Sequence, residues 1–187
     1  MTIRPFILMF FLLSCAQPKP KKEVVKAEDS AAKAIGATNY VSLEFKKGSA
    51  RLTNKDKIQI KHFLNQINKQ HKEIQDIKIL TWADQEYPLR SQKSLPSSEI
   101  ILAKERAERI KNYLKQDLKS EVDVDEYNMA RRPNLVSKLF NSEEYILKEA
   151  FEKNEVSHRS SDLHANSKAR KALVIIDFQK SKLKTYK

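Results

Sequence analysis

The chain has 187 residues, 40% of them apolar and 32% charged, which suits about one globular domain with appendages. Its two glycines, Gly36 and Gly48, exclude a glycine-rich phosphate loop, and its single cysteine, Cys15, excludes an internal disulfide or a cysteine-based zinc site. The net charge of +12 predicts anionic partners but does not choose among nucleic acid, lipid headgroups and an acidic wall polymer.

The N-terminus reads as an address label. Arg4 precedes the apolar run from Phe6 to Leu13, which is too short to span a ~30 Å hydrocarbon core as a helix but suits a signal segment. Leu12-Leu13-Ser14-Cys15 resembles a bacterial lipobox. That resemblance implies removal of residues 1–14 and lipidation of Cys15, by palmitate among other chains. Ala16, where an aspartate would imply inner-membrane retention, implies the outer membrane. From Cys15 to Asn39 the chain is Pro, Lys, Glu and Ala with almost no large apolar residue, and it is expected to form a flexible basic linker.

Alternation begins at Tyr40. Val41, Leu43 and Phe45 fall on one side and Ser42 and Glu44 on the other, which predicts a first strand. Gly48 breaks it. Thr53 followed by Asp56 is a helix start signal, and Ile60, Phe63, Leu64 and Ile67 recur at helical spacing. A second strand is expected over Ile74 to Trp82, with Ile77, Ile79 and Thr81 on one side. Ser97 or Ser98 is expected to cap a second helix over about Glu99 to Gln116, and a third strand over about Glu121 to Met129 ends before Pro133. Asn141 and Glu144 start a further helix, about Ser142 to Asn154. Ala172 to Phe178 is a nearly continuous apolar run suited to a central strand. Residues 180–187 form a basic tail. The order β-α-β-α-β-(α)-β predicts an α+β fold with helices packed on one face of a mixed sheet of about four strands.

Arg106 is out of place. At ~100° per residue, it falls inside the apolar arc of the second helix, beside Ala103, Ile110 and Tyr113. A charge there must be paired or reach a cleft. Either it pairs with Glu99 or a carboxylate on the sheet, or it reaches back toward the loop after the second strand, where Asp84 sits. Carboxyl ends of strands are where βαβ units bind ligands. An aspartate and an arginine across a cleft would suit a zwitterionic amino acid, with Asp84 for the ammonium and Arg106 for the carboxylate. Trp82, at a strand end, reads as core rather than as a stacking platform. His62, His71, His158 and His164 lack zinc-type spacing, and Ser160 and Ser161 near His158 make no nucleophile elbow. No catalytic set, metal site or cofactor is expected.

Four stretches, in order, resemble the OmpA-like peptidoglycan-binding domain. Val41-Ser-Leu-Glu-Phe-Lys-Lys-Gly-Ser-Ala-Arg-Leu52 is similar to its first strand and turn. Ile77-Lys-Ile-Leu-Thr-Trp-Ala-Asp84 is similar to the strand ending in its Gly-His-Thr/Ala-Asp motif. Leu102-Ala-Lys-Glu-Arg-Ala107 is similar to its Leu-Ser-x-x-Arg-Ala helix, and Asn166-Ser-Lys-Ala-Arg170 to its Asn-Arg-Arg-Val segment. The resemblance covers most of residues 40–178. It implies an OmpA-like sandwich over 40–179, with an inserted helix and loop at about 134–166. It also implies that Asp84 and Arg106 hold wall-peptide diaminopimelate, with Glu99 and Arg170 beside them. The sequence departs from the family at Thr81-Trp82, at Tyr87-Pro88 and at Glu99. The expected protein is a non-enzymatic outer-membrane lipoprotein with a periplasmic domain. Its partners would be peptidoglycan, the membrane through Cys15 and an envelope protein, but no nucleic acid. The alternative is a divergent module on the same fold that has lost the wall and binds a protein or anionic lipid.

Overall fold

A computed structural model describes residues 29–85, 95–118, 122–131, 140, 142–157 and 168–179, with backbone only at 30 and 152–157. The signal segment, Cys15, Tyr87-Pro88, Pro133, Asn141, His158, Ser160, Ser161, His164, Asn166, the basic tail and most of the inserted loop lie outside the described residues.

The expected strands form: β1 (Tyr40–Glu44), β2 (Ile74–Thr81), β3 (Asp123–Asn128) and β4 (Lys171–Phe178). They make one four-stranded sheet in the order β1-β4-β2-β3. β4 pairs antiparallel with both β1 and β2, while β2 and β3 run parallel. The apolar run of β4 is therefore central, as its composition requires. Parallel strands need a crossover, and α3 (Ser97–Asp117) lies between β2 and β3 in sequence.

The helix α2 (Asn54–Asn68) starts with a full capping box. Thr53 N–H donates to Asp56 Oδ2 at 2.7 Å, and Asp56 N–H donates to Thr53 Oγ1 at 3.2 Å. Its residues Ile60, Phe63, Leu64 and Ile67 are buried. They share a core with Ala107, Ile110 and Leu114 of α3 and with Val41, Leu43, Ile77, Ile79, Val174 and Ile176 of the sheet. α3 begins after Pro96 without a side-chain cap, so Ser97 and Ser98 lie inside the helix rather than capping it.

Helices cover both faces of the sheet, not one. A second apolar cluster joins Leu80, Trp82, Tyr127, Met129, Leu173 and Ile175 to Ala31 and Ala32 of α1 (Ser30–Ala34) and Phe151 of α4 (Glu143–Ser157). The cause is the two-sided apolar character of β2 and β4. With one face covered, Leu80, Trp82, Leu173 and Ile175 would stand in water, at a cost of roughly 1.5–3 kcal/mol for each large side chain. Residues 29–39, expected to belong to the linker, join the fold for the same reason, while residues 15–28 lie outside the described residues. Asp29 caps α1 by accepting from Ala31 N–H at 2.8 Å, and it also accepts from Ser42 Oγ at 2.7 Å on β1. Ala31 and Ala32 then pack tightly because alanine lets the backbone come close.

Charge also enters the second face. Lys148 of α4 is fully buried, and its Nζ pairs with Glu144 one turn earlier. Burial lowers its pKa against the opposing pull of Glu144. Desolvating an ammonium costs more than one pair returns. Lys148→Met should therefore stabilise the domain by about 1 kcal/mol, raising Tm by about 2–4 °C in a circular-dichroism melt. A lower Tm would show that the lysine is held by more than its pair with Glu144.

Candidate functional site

The carboxyl end of β2, the turn after β1, the residue before β4 and the start of α3 meet at one end of the sheet. Thr81 is fully buried there, and its Oγ1 donates to Ala103 O of α3 at 2.8 Å. Trp82 is core, 2% exposed and edge-on to Phe151. Asp84 follows, just beyond the strand.

The structure brings Asp84 and Arg106 into direct contact. Arg106 Nη2 donates to Asp84 Oδ1 at 2.6 Å, with the arginine side chain 0% and the aspartate 9% exposed. The other guanidinium donors serve the backbone. Nη1 donates to Trp82 O at 2.8 Å, Nε to Ser49 O at 3.0 Å, and Nη2 also to Lys46 O at 3.4 Å. The guanidinium carbon sits 4.9 Å from the centre of the Phe45 ring, a cation–π position. Arg106 thus crosses no cleft. It is a buried latch that ties α3 to the ends of β1 and β2 and fixes the aspartate.

Asp84 accepts a second hydrogen bond, from Gly48 N–H to Oδ2. Gly48 has φ +68°, in the left-handed region that glycine adopts without strain. Burial alone would raise the Asp84 pKa. The hydrogen bonds from Arg106 and Gly48, with the charges of Arg106 and Arg170, overcome that and hold the carboxyl below its ordinary value. Asp84 is therefore an oriented, ionised carboxylate with an edge to solvent.

Glu99 does not take Arg106. Its Oε2 accepts from the backbone N–H groups of Asp84 at 2.8 Å and Gln85 at 3.3 Å. It positions the loop after β2 and meets Asp84 through the backbone, not through the carboxylate. Arg170 does reach the site. Its N–H donates to Ala83 O at 2.6 Å and its C=O accepts from Phe45 N–H at 2.7 Å, which lodges it between the two strand ends. Its side chain is 46% exposed, with Nη2 3.9 Å from Glu44 Oε1. Its φ of +64° is unusual for a side-chain-bearing residue. An ionised carboxylate beside an exposed guanidinium can bind an ammonium and a carboxylate at once. Sequence reasoning missed the backbone partners, Lys46, Gly48 and Ser49, because main-chain groups leave no residue-type signature.

No family model matches the chain, and no curated protein matches it. Among solved structures, the chain is similar to the OmpA-like domain of FopA1 from Francisella tularensis, at 15% identity and TM-score 0.42, covering 75% of each chain. It is similar to the peptidoglycan-associated lipoprotein from Burkholderia pseudomallei, at 12% identity and TM-score 0.39, over 73% of this chain and 89% of that one. It is also similar to the periplasmic domain of Helicobacter pylori MotB, at 14% identity and TM-score 0.42, over 75% of this chain and 83% of that one.

Proposed function

We propose that this chain is a lipid-anchored envelope protein whose folded domain binds peptidoglycan non-covalently and so ties the outer membrane to the wall. The observation that carries the reading is the Asp84 carboxylate, ionised and held by Arg106 and Gly48 with the exposed Arg170 beside it. Wall peptides with diaminopimelate offer an ammonium and a carboxylate on one carbon, the complement of that pair. Asp84 takes the ammonium and Arg170 the carboxylate. Arg106 acts behind them by orienting Asp84, and Glu99 by holding the loop. The lipobox-like segment at Cys15 supplies the membrane end, and the motif order over residues 40–178 supports the same assignment.

The chain from Ala16 onward should pellet with purified diaminopimelate-type sacculi and be released by free diaminopimelate. Arg170→Ala should weaken retention about tenfold, the scale of one lost charge-assisted contact. In cells, Cys15→Ser should move the protein out of the membrane fraction. Folded wild-type protein that stays in the supernatant would end the wall reading. The domain would then be an interaction module for a protein or anionic lipid.

A further inference from the structure

A groove of about 900 Å³ opens beside this site, within the roughly 300–1,000 Å³ range of ordinary ligand sites. It runs between the turn after β1, the start of α2 and one stripe of α3. Gly48 and Ser49 form part of its wall, and the same residues give an N–H to Asp84 and a C=O to Arg106. Gly48 and Ser49 thus belong both to the groove wall and to the contacts that hold Asp84 and Arg106, which places the groove next to that pair.

The lining says what the groove would take. Arg109, Asn112, Tyr113 and Gln116 of α3 face the groove at helical spacing. Arg109, Asn112 and Gln116 are exposed, and Tyr113 is half-buried. The amides donate and accept, the guanidinium donates, and carboxylates at Glu105 and Glu108 accept. The lining is more polar than apolar, and its cations and carboxylates nearly cancel. It suits a neutral chain rich in hydroxyls and amides rather than a lipid or a polyanion. Tyr113 adds a ring for a sugar face. Lys57 Nζ stands 5.9 Å from its centre, on a flexible stem that can swing aside.

We infer that this groove is a subsite for the N-acetylated glycan strand of the wall, next to the peptide-binding pair at Asp84. The inference rests on the peptidoglycan reading above. It makes the domain a reader of the peptide–sugar junction rather than of the peptide alone.

The test is calorimetric titration of the full chain, in mild detergent, with three probes. These are the diaminopimelate stem peptide, the same peptide on its disaccharide, and a chitooligosaccharide without peptide. The disaccharide form should bind about tenfold tighter than the bare peptide, a gain of about 1.4 kcal/mol. The double variant Asn112→Ala/Gln116→Ala, on an exposed stripe that the fold does not need, should lose that gain and leave peptide affinity unchanged. Equal affinity for the two peptide probes, or a gain that survives the double variant, overturns the groove and leaves the wall-peptide reading standing. Binding of the oligosaccharide but not the peptide, with the oligosaccharide lost in the double variant, overturns the peptide reading and keeps the groove. Binding of none of the three overturns both.

Discussion

Asp84→Ala should destabilise the domain by about 3–5 kcal/mol and abolish retention on sacculi. The magnitude follows from what is left behind. Arg106 has no exposed surface, and Asp84 is the carboxylate that faces it at 2.6 Å. Without that partner the guanidinium keeps its three carbonyl acceptors but stays a buried charge without a counter-charge, a defect of that size. Against a total stability of about 5–15 kcal/mol, such a loss brings the protein near its unfolding threshold at 37 °C. Asp84→Asn separates charge from shape. The amide keeps one acceptor oxygen, so it can accept from Arg106 at the Oδ1 position but turns an NH2 toward Gly48 N–H. It should recover part of the stability while losing the charge that the proposed ammonium contact needs. Urea unfolding with an unchanged slope measures the first effect, and sedimentation of the folded Asn variant measures the second. The pair also sets an acid limit. Because the folded carboxyl is held below its ordinary 3.8, its contribution is complete above that pH and is lost as the pH falls through the depressed folded value. The Asn variant should lack that segment of the stability curve. A loss below 1 kcal/mol for Asp84→Ala would mean that water replaces the carboxylate readily, and the latch would not be one.

The latch was half legible in the sequence, and the reason lies in periodicity. Ala103, Ala107, Ile110 and Leu114 define the buried stripe of α3, and a lone arginine on that stripe announces a buried partner. Asp84 announces itself by following β2. Glu99 was legible as a charge at the start of the helix and as one alternative partner for Arg106, which it does not take. Its actual partners are two backbone N–H groups, and nothing in the identities of Asp84 or Gln85 signals that. The second face was written more plainly than a one-faced reading allows. Leu173 and Ile175 alternate with Ala172, Val174 and Ile176, so β4 is apolar on both sides and needs two covers. The covers themselves were harder to see. α1 has five residues and no periodic apolar stripe, and its burial depends on the smallness of Ala31 and Ala32. Glu144 and Lys148 look like an ordinary solvated pair at i, i+4, and only the tertiary packing of α4 buries the lysine.

That second cover reaches the site, and Phe151→Ala should reveal it. Phe151 is 4% exposed and meets Trp82 edge-on, with ring centres 5.4 Å apart and planes at 89°. Removing a buried phenylalanine costs about 3–5 kcal/mol, through lost transfer energy and the cavity that remains. The other end of α4 is held by Glu143, 2.5 Å from Lys78 Nζ and 2.7 Å from Tyr127 Oη. Burial would lower the Lys78 pKa, but Asp177 and Glu143 raise it above its ordinary value, so the clamp keeps its charge at neutral pH. Glu143 is 48% exposed, so Glu143→Ala should cost no more than about 1 kcal/mol, and the aromatic contact dominates the docking of α4. Trp82 is the only tryptophan, so its emission reports the change directly. In Phe151→Ala it should shift to the red as water reaches the ring. Amides of α4 should exchange faster with deuterated solvent, while those of α2, on the opposite face, keep their protection. The effect should extend to binding, because the carbonyl of Trp82 accepts from Arg106 Nη1 at 2.8 Å. A looser Trp82 loosens the arginine that orients Asp84, so the folded variant should bind wall peptide several-fold more weakly without any change in the site's own side chains. Unchanged emission and unchanged α4 exchange would mean that α4 rests on the sheet without holding it, and the second face would then bear on neither stability nor binding.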